Sequence, residues 1–259
     1  MAYIVAVANQ KGGVAKTTSV ASLAGALVKM DLEVLAVDLD AQANLTLALG
    51  TNPRQVHAAI GDVLMNAATI HSVSRQTSIE GLDLVPSRED MALAERFLPV
   101  RPNYECILRN SLNGHLAYDY VLLDCPPSMG AVTLNALNAA DLLIIPTQPE
   151  YYSAHALRNM MAVLRKVRSQ HNPRLTYKIL LTMKDRRNRI HCDLSEQIRE
   201  TFGEGLFKTP IEVDTKLRES SVVGLPITHY RTTTRSTRQY QALAEELVQH
   251  AQEKATPAA

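Results

Sequence analysis

Six short stretches of this chain are apolar almost without interruption, and the segments between them place apolar residues at a helical period. Tyr3 to Ala8, Val34 to Asp40, Leu82 to Val85, Tyr120 to Pro127, Leu142 to Ile145 and Ile179 to Leu181 read as strands. Runs of this length without a polar side belong to strands covered on both faces, as in parallel sheets. Val20, Leu23, Ala24, Leu27 and Val28 recur at helical spacing after the first strand, and further helical stretches cover Glu89 to Leu98, Val132 to Leu137 and Ser153 to Arg168. Within the last of these, Leu157, Met160, Met161 and Leu164 form one apolar face that suits a core. Strands alternating with helices predict an α/β fold: a single-domain, doubly wound, mostly parallel sheet with helices on both faces. Such sheets bind ligands beyond the carboxyl ends of their strands.

The chemistry suggested by the chain sits at those ends. Between the first strand and the first helix lies Lys11-Gly12-Gly13-Val14-Ala15-Lys16-Thr17-Thr18. A glycine loop followed by a helix N-terminus presents backbone N–H groups and a positive dipole to phosphate oxygens. Lys16 would add a charge on the β/γ-phosphates and Thr17 a hydroxyl for Mg²⁺. The segment does not match the standard loop GxxxxGK[ST], because Gln10 and Ala15 stand at the two glycine positions. The second strand ends in Asp38 and Asp40, and the third long one in Asp124. Taken singly, a Gly-Gly-x-x-Lys is as often a turn, and an acid at a strand end is as often a helix cap. Three strands that each end in a phosphate or metal group favour a nucleotide site.

In place of the standard loop the chain carries a second lysine, Lys11, five residues before Lys16. This resembles the deviant Walker A pattern KGGxxK[ST] of the ParA/MinD family of ATPases. Asp38-Leu39-Asp40-Ala41-Gln42 resembles that family's DxDxQ segment, and Tyr120 to Pro127 its Walker B element. The resemblance implies a P-loop ATPase with ATP and Mg²⁺ as cofactors. Gly12, Gly13, Val14, Ala15, Lys16, Thr17 and Thr18 would hold the nucleotide, and Thr17, Asp38 and Asp124 the metal. Asp40, two residues beyond Asp38, is the candidate for orienting the attacking water, with Lys11 and Lys16 as the other catalytic residues. Lys11 would reach across a homodimer to the partner's nucleotide. By the same resemblance Met183 and Pro210, each at what reads as a strand end, would flank adenine. The segment Pro146 to Tyr152 would lie near the dimer interface, although two adjacent tyrosines fit internal packing equally well.

Two departures from the family matter. Ala15 stands where the family usually has Gly, and a positive φ there would cost roughly 1 kcal/mol. Ala41 and Ala43 replace the usual Pro and Gly. Nucleotide binding should survive, and slow turnover is expected.

Charge divides the molecule. The chain is nearly neutral, at +1, yet residues 1–150 carry 9 Lys+Arg against 15 Asp+Glu, and residues 151–259 carry 18 against 11. Basic residues gather at Lys184, Arg186, Arg187 and Arg189, at Lys216 and Arg218, and at Arg231, Arg235 and Arg238. Each group alone fits a solvated face; three in one acid-poor region fit a surface for nonspecific DNA. The family's partition ATPases bind DNA in this way, and Lys-Leu-Arg-Glu-Ser-Ser around Arg218 is similar to their DNA-contacting region.

Cys106, Cys125 and Cys192 are too scattered for a disulfide framework or a metal knuckle. Neither a signal peptide nor a run of about 18 apolar residues is found, which predicts a cytoplasmic protein; the resemblance to DNA-binding partition ATPases implies that it is nucleoid-associated. The last helix has an apolar stripe at Tyr240, Leu243, Ala244, Leu247, Val248 and Ala251, but Glu245, Glu246, Gln249 and Glu253 on the remaining face. That acidity argues against a membrane and for packing on the core. One ATPase domain is expected over 1–254 with a short tail at 255–259, and with no DNA-binding domain ahead of Lys11. The resemblance therefore points to short, Soj-like partition ATPases with a ParB-like partner. A MinD-like regulator of division-site placement and a metabolic ATP-dependent ligase or synthetase are the alternatives.

Overall fold

A computed structural model describes residues 2–113 and 117–255; residues 256–259 of the expected tail lie outside it, and Ala255 still belongs to the last helix. The chain runs β1 (Tyr3–Val7), α1 (Lys16–Val28), β2 (Val34–Asp38), α2 (Asn44–Ala48), α3 (Ile60–Leu64), α4 (Ile70–Val73), β3 (Arg75–Gln76), β4 (Leu82–Val85), α5 (Met91–Phe97) and α6 (Ile107–Leu112). It continues through β5 (Tyr120–Asp124), α7 (Ala131–Ala139), β6 (Leu142–Thr147), α8 (Ser153–Gln170), β7 (Thr176–Leu181), α9 (Arg189–Phe202), α10 (Thr215–Val223), α11 (Ile227–Tyr230) and α12 (Arg235–Ala255). The sheet has the order β3-β4-β2-β5-β1-β6-β7 and is parallel except for the two-residue edge strand β3.

Alternation along the strands explains the two helical layers. Val5, Val7, Val34, Ala36, Leu122 and Ile144 face α1, α2 and α10–α12. Their neighbours Ala6, Leu35, Val37, Val121, Leu123 and Leu143 face α3–α9. Both sides are dry, so the strands read as unbroken apolar runs instead of a two-residue alternation. The last helix packs on the core as expected: Tyr240, Leu243, Ala244 and Leu247 are fully buried. Among the described residues no helix is long and apolar enough to cross a membrane.

The structure corrects the predicted borders. β2 stops at Asp38 and β5 at Asp124, so Asp40 and Pro127 belong to the following turns. Lys208 to Pro210 ends no strand. Phe207 and Ile211 donate to the carbonyls of Ile179 and Leu181 at 2.9 and 2.8 Å, so this segment lies along the β7 edge as an irregular cover. Helix α9 is an element that the sequence reading does not include.

Candidate nucleotide site

Strand β1 delivers the chain to the loop, and Asn9 fixes its exit. The buried Asn9 side chain donates to the Pro146 carbonyl at 2.7 Å and accepts from the Lys11 amide at 3.0 Å. Gly13 has φ +73°, a region where a side chain is strained, and a Cβ at Gly12 or Gly13 would meet nothing within 4 Å. The loop therefore offers bare, open backbone. Thr182 closes its far side by donating to the Val14 carbonyl at 3.1 Å. Helix α1 begins at Lys16 with no side-chain cap, which leaves its first-turn amides for an anion.

Ala15 is the residue before α1, and it adopts φ 62° and ψ 34°. Ala43, before α2, adopts φ 52° and ψ 35°. Both positions where the family usually has Gly are thus left-handed here and carry a methyl group.

The three acids differ sharply. Asp38 and Asp124 are register partners on adjacent strands, and both point to the α1 face. Asp38 is saturated by the chain: its carboxylate accepts from the Thr46 amide at 2.8 Å, the Thr46 hydroxyl at 2.7 Å and the Asp40 amide at 3.1 Å. Burial nevertheless outweighs these bonds and pushes its pKa up to about 6. In Asp124, buried at 1% exposure, neither oxygen meets a donor in hydrogen-bonding geometry. Burial first, then the Asp38 charge, raise its pKa well above the carboxylate range, against the opposing pull of the Thr17 hydroxyl and the Lys16 ammonium. Asp40 accepts from the Gln42 amide at 3.0 Å and stays partly exposed.

An orphaned, buried carboxylate beside a threonine hydroxyl fits a divalent cation. The donors are hard oxygens, which suits Mg²⁺. Among the described residues no group of three or more His, Cys, Asp or Glu could hold a metal unaided. Phosphate oxygens and water would have to complete the shell, as is usual for this ion.

The two lysines have parted company. Lys16 lies back over the loop, its ammonium donating to the Lys11 carbonyl at 3.2 Å, and burial lowers its pKa against the attraction of Asp124. Lys11 instead turns its ammonium to Glu150, with which it forms an ion pair. Tyr151 and Tyr152, beside Glu150, are 82% and 73% exposed, so they are not internal packing residues.

A cavity of about 280 Å³ adjoins the loop and is lined by Ala15, Thr18, Met183, Leu217, Arg218 and the segment Ile211–Asp214. Met183 is on its wall, with φ 52°; Pro210 is one residue outside the lining. Arg186, Arg218 and Arg235, one from each basic group, meet beside this cavity, but much of the charge is spent. Glu212, 2% exposed, holds both Arg186 and Arg235, the latter at 3.0 Å. Lys216 pairs with Glu219 at 2.8 Å, Arg187 with Asp185 at 3.3 Å, and Arg189 with Asp193 at 4.0 Å. Of the candidate DNA contacts, only Lys184 and Arg218 have no ion-pair partner among the described residues. Asn9, Thr46, Thr182 and Glu212 are not singled out by any local pattern in the sequence, since each acts through a contact made only in the fold, whereas Glu150 lies in the segment Pro146 to Tyr152 expected near the dimer interface.

Known proteins resemble this chain in sequence and fold. Residues 2–177 match the family model described as AAA domain. The sporulation initiation inhibitor protein Soj of Bacillus subtilis is 35% identical, over 95% of this chain and 98% of that protein. The chromosome partitioning protein ParA of Caulobacter vibrioides is 34% identical, over 99% and 97%. A crystal structure of cobyrinic acid a,c-diamide synthase from Mycobacterium smegmatis, with bound ATP analog and magnesium, superposes with a TM-score of 0.86 at 31% identity, covering 96% of this chain and 95% of that one.

Proposed function

The chain belongs to the ParA/MinD family of ATPases, and from that membership we propose that it is a partition-type ATPase that dimerises on ATP and then retains DNA without reading sequence. The observation that carries this reading is the split between the lysines: Lys16 lies over its own cradle, while Lys11 turns away from it to the partly exposed Glu150, which supports a role for Lys11 in a second subunit's site. The ATPase unit is taken as residues 1–254, working in the cytoplasm on the nucleoid.

In this mechanism the loop amides of Gly12 to Thr18 and the Lys16 ammonium bind and orient the triphosphate. Thr17 and Asp124 would hold Mg²⁺, with Asp38 supporting the site through water and through its grip on Asp40 and Thr46. The ion would neutralise phosphate charge as the terminal phosphoryl group leaves. Asp40 orients the attacking water, Lys11 offsets charge in the partner's site, and hydrolysis then separates the subunits. Met183 lies against the base and Pro210 borders it. Arg218 and Lys184 supply the free positive charge for DNA, with Arg186, Arg187, Arg189, Lys216 and Arg235 contributing only where their carboxylates release them. Turnover is slow until a ParB-like partner stimulates it.

Light scattering and DNA retention with ATP, ADP and no nucleotide test the reading. Retention only with ATP, falling steeply with salt, is the expected result. The likeness to the cobyrinic acid a,c-diamide synthase favours a second reading, an ATP-dependent synthetase acting on a small carboxylate. Turnover that requires such a substrate and ignores DNA would replace the first reading with the second.

A further inference from the structure

The segment that follows β4 touches both acid-bearing loops. β4 lies beside β2 in the sheet, with Val85 opposite Val37. Just beyond, the Ser87 amide donates to the Thr46 hydroxyl at 2.9 Å, and that hydroxyl donates in turn to Asp38 at 2.7 Å. Thr46 and Ser87 are fully buried, which strengthens both bonds. The Thr46 proton is committed to the carboxylate and a lone pair receives the amide, so the hydroxyl is fixed in one direction. Arg88 clamps the segment to α3 through Asp62 at 3.1 Å and stiffens it internally through Asp90 at 2.6 Å. At the other end α5 presents Glu95 to the start of α7. The loop after Asp124 runs into α7 at Gly130, and that helix has no side-chain cap of its own. Glu95 supplies one from outside: its carboxylate accepts from the Val132 amide at 3.0 Å, where the helix dipole favours an acid. A Cβ on Gly130 would lie 1.7 Å from Glu95 Oε1, although φ there is an ordinary −84°. The glycine is needed for space, and the Glu95 carboxylate fills it.

From this geometry we propose that Thr46 and Glu95 are positioning residues, which tie the Asp38–Asp40 loop and the loop after Asp124 to one stiff segment, Ser87 to Glu95, so that the two loops move as a unit. The proposal rests on the roles given above to the three acids in ATP hydrolysis. Thr46 acts on Asp38 directly, and on Asp40 through the Asp40 amide bonded to the same carboxylate. Glu95 acts on the backbone that leaves Asp124. Met91 and Ala94 of α5 share one hydrocarbon layer with Val132 of α7, so the span between the two joints is packed as well as bonded. Opening one joint therefore loosens the other.

Backbone hydrogen exchange on the full chain without nucleotide tests the tie itself. Glu95→Ala should speed exchange about fivefold or more at residues 131–134 and, across the segment, at residues 43–48 as well. Thr46→Val should do the same from the other side. Glu95→Gln and Thr46→Ser, which keep an acceptor and a hydroxyl, should exchange as the wild type does. In steady-state hydrolysis Glu95→Ala should lower kcat about tenfold with KM for ATP within about threefold, and the further loss on adding Thr46→Val should be smaller than Thr46→Val causes alone. Glu95 is half-buried, so Glu95→Ala is expected to fold and carries the test by itself should Thr46→Val unfold. The proposal is overturned if exchange rises only beside the altered residue, if Glu95→Gln and Thr46→Ser lose as much as Glu95→Ala and Thr46→Val, or if Glu95→Ala keeps the wild-type kcat or loses in KM instead. A wild type that hydrolyses no ATP would remove the ATPase reading, and the exchange pattern would still decide whether the two loops are tied.

Discussion

The phosphate end of the sheet and the basic surface beside it carry their charge in opposite ways. At the phosphate end the key group is left unpartnered: Asp124 is buried without a donor and the α1 amides have no cap. On the basic surface five of the seven candidate DNA contacts have found an acid, and Glu212 alone holds two arginines. Unsatisfied buried groups cost stability and persist where a ligand completes them, whereas exposed pairs cost little and contribute little. Counting residues would rank the basic surface as the stronger site. Counting partners ranks the loop far ahead.

That contrast can be broken most forcefully at Lys16. Replacing Lys16 by Ala should weaken ATP binding by about 2–3 kcal/mol, roughly 30- to 150-fold, in a direct titration with a fluorescent nucleotide. Next comes Asp124→Asn, which removes the orphaned charge. In EDTA the variant should be more stable than the wild type by about 1–3 kcal/mol in urea melts, and it should lose the magnesium dependence of ATP binding. The sign with pH follows from the raised pKa: the folded wild type holds the proton more tightly than the unfolded chain, so its stability drops as pH rises, and the gain from Asp124→Asn should shrink as pH is lowered. A variant that is less stable than the wild type at neutral pH without metal would mean that Asp124 has a partner after all.

On the basic side, Arg218→Glu should cut DNA retention about tenfold and lower the salt slope by one to two, with melting unchanged. Arg186→Ala and Arg235→Ala should do the reverse, destabilising the fold by about 1 kcal/mol each through a half-paired Glu212 and sparing most DNA retention. Identical behaviour of all three would erase the distinction between spent and free cations. The smallest effect belongs to the alanines: Ala15→Gly and Ala43→Gly should each stabilise by about 0.5–1 kcal/mol, since relief of left-handed strain exceeds the added chain entropy.

How much of this was legible depended on the range of the interaction. The loop, its helix and the strand-end acids are encoded within a few residues, and the apolar runs gave the sheet. The left-handed backbone at Ala15 was foreseen only as a condition, because φ follows from the turn that Asn9 and Thr182 impose. The saturation of Asp38 could not be read, because Thr46 reaches it only once α2 folds back over β2. Paired and free arginines look alike in a sequence, for the pairing is set where the segments around Lys184, Glu212 and Arg235 meet.

The register match of Asp38 with Asp124 also acts as a gauge on assembly. Sliding β2 past β5 by one residue would turn one acid into the opposite hydrocarbon layer, where neither Thr46 nor an ion can reach it. A misaligned sheet would thus carry its own penalty, and the same two side chains that equip the finished protein proofread how it is put together.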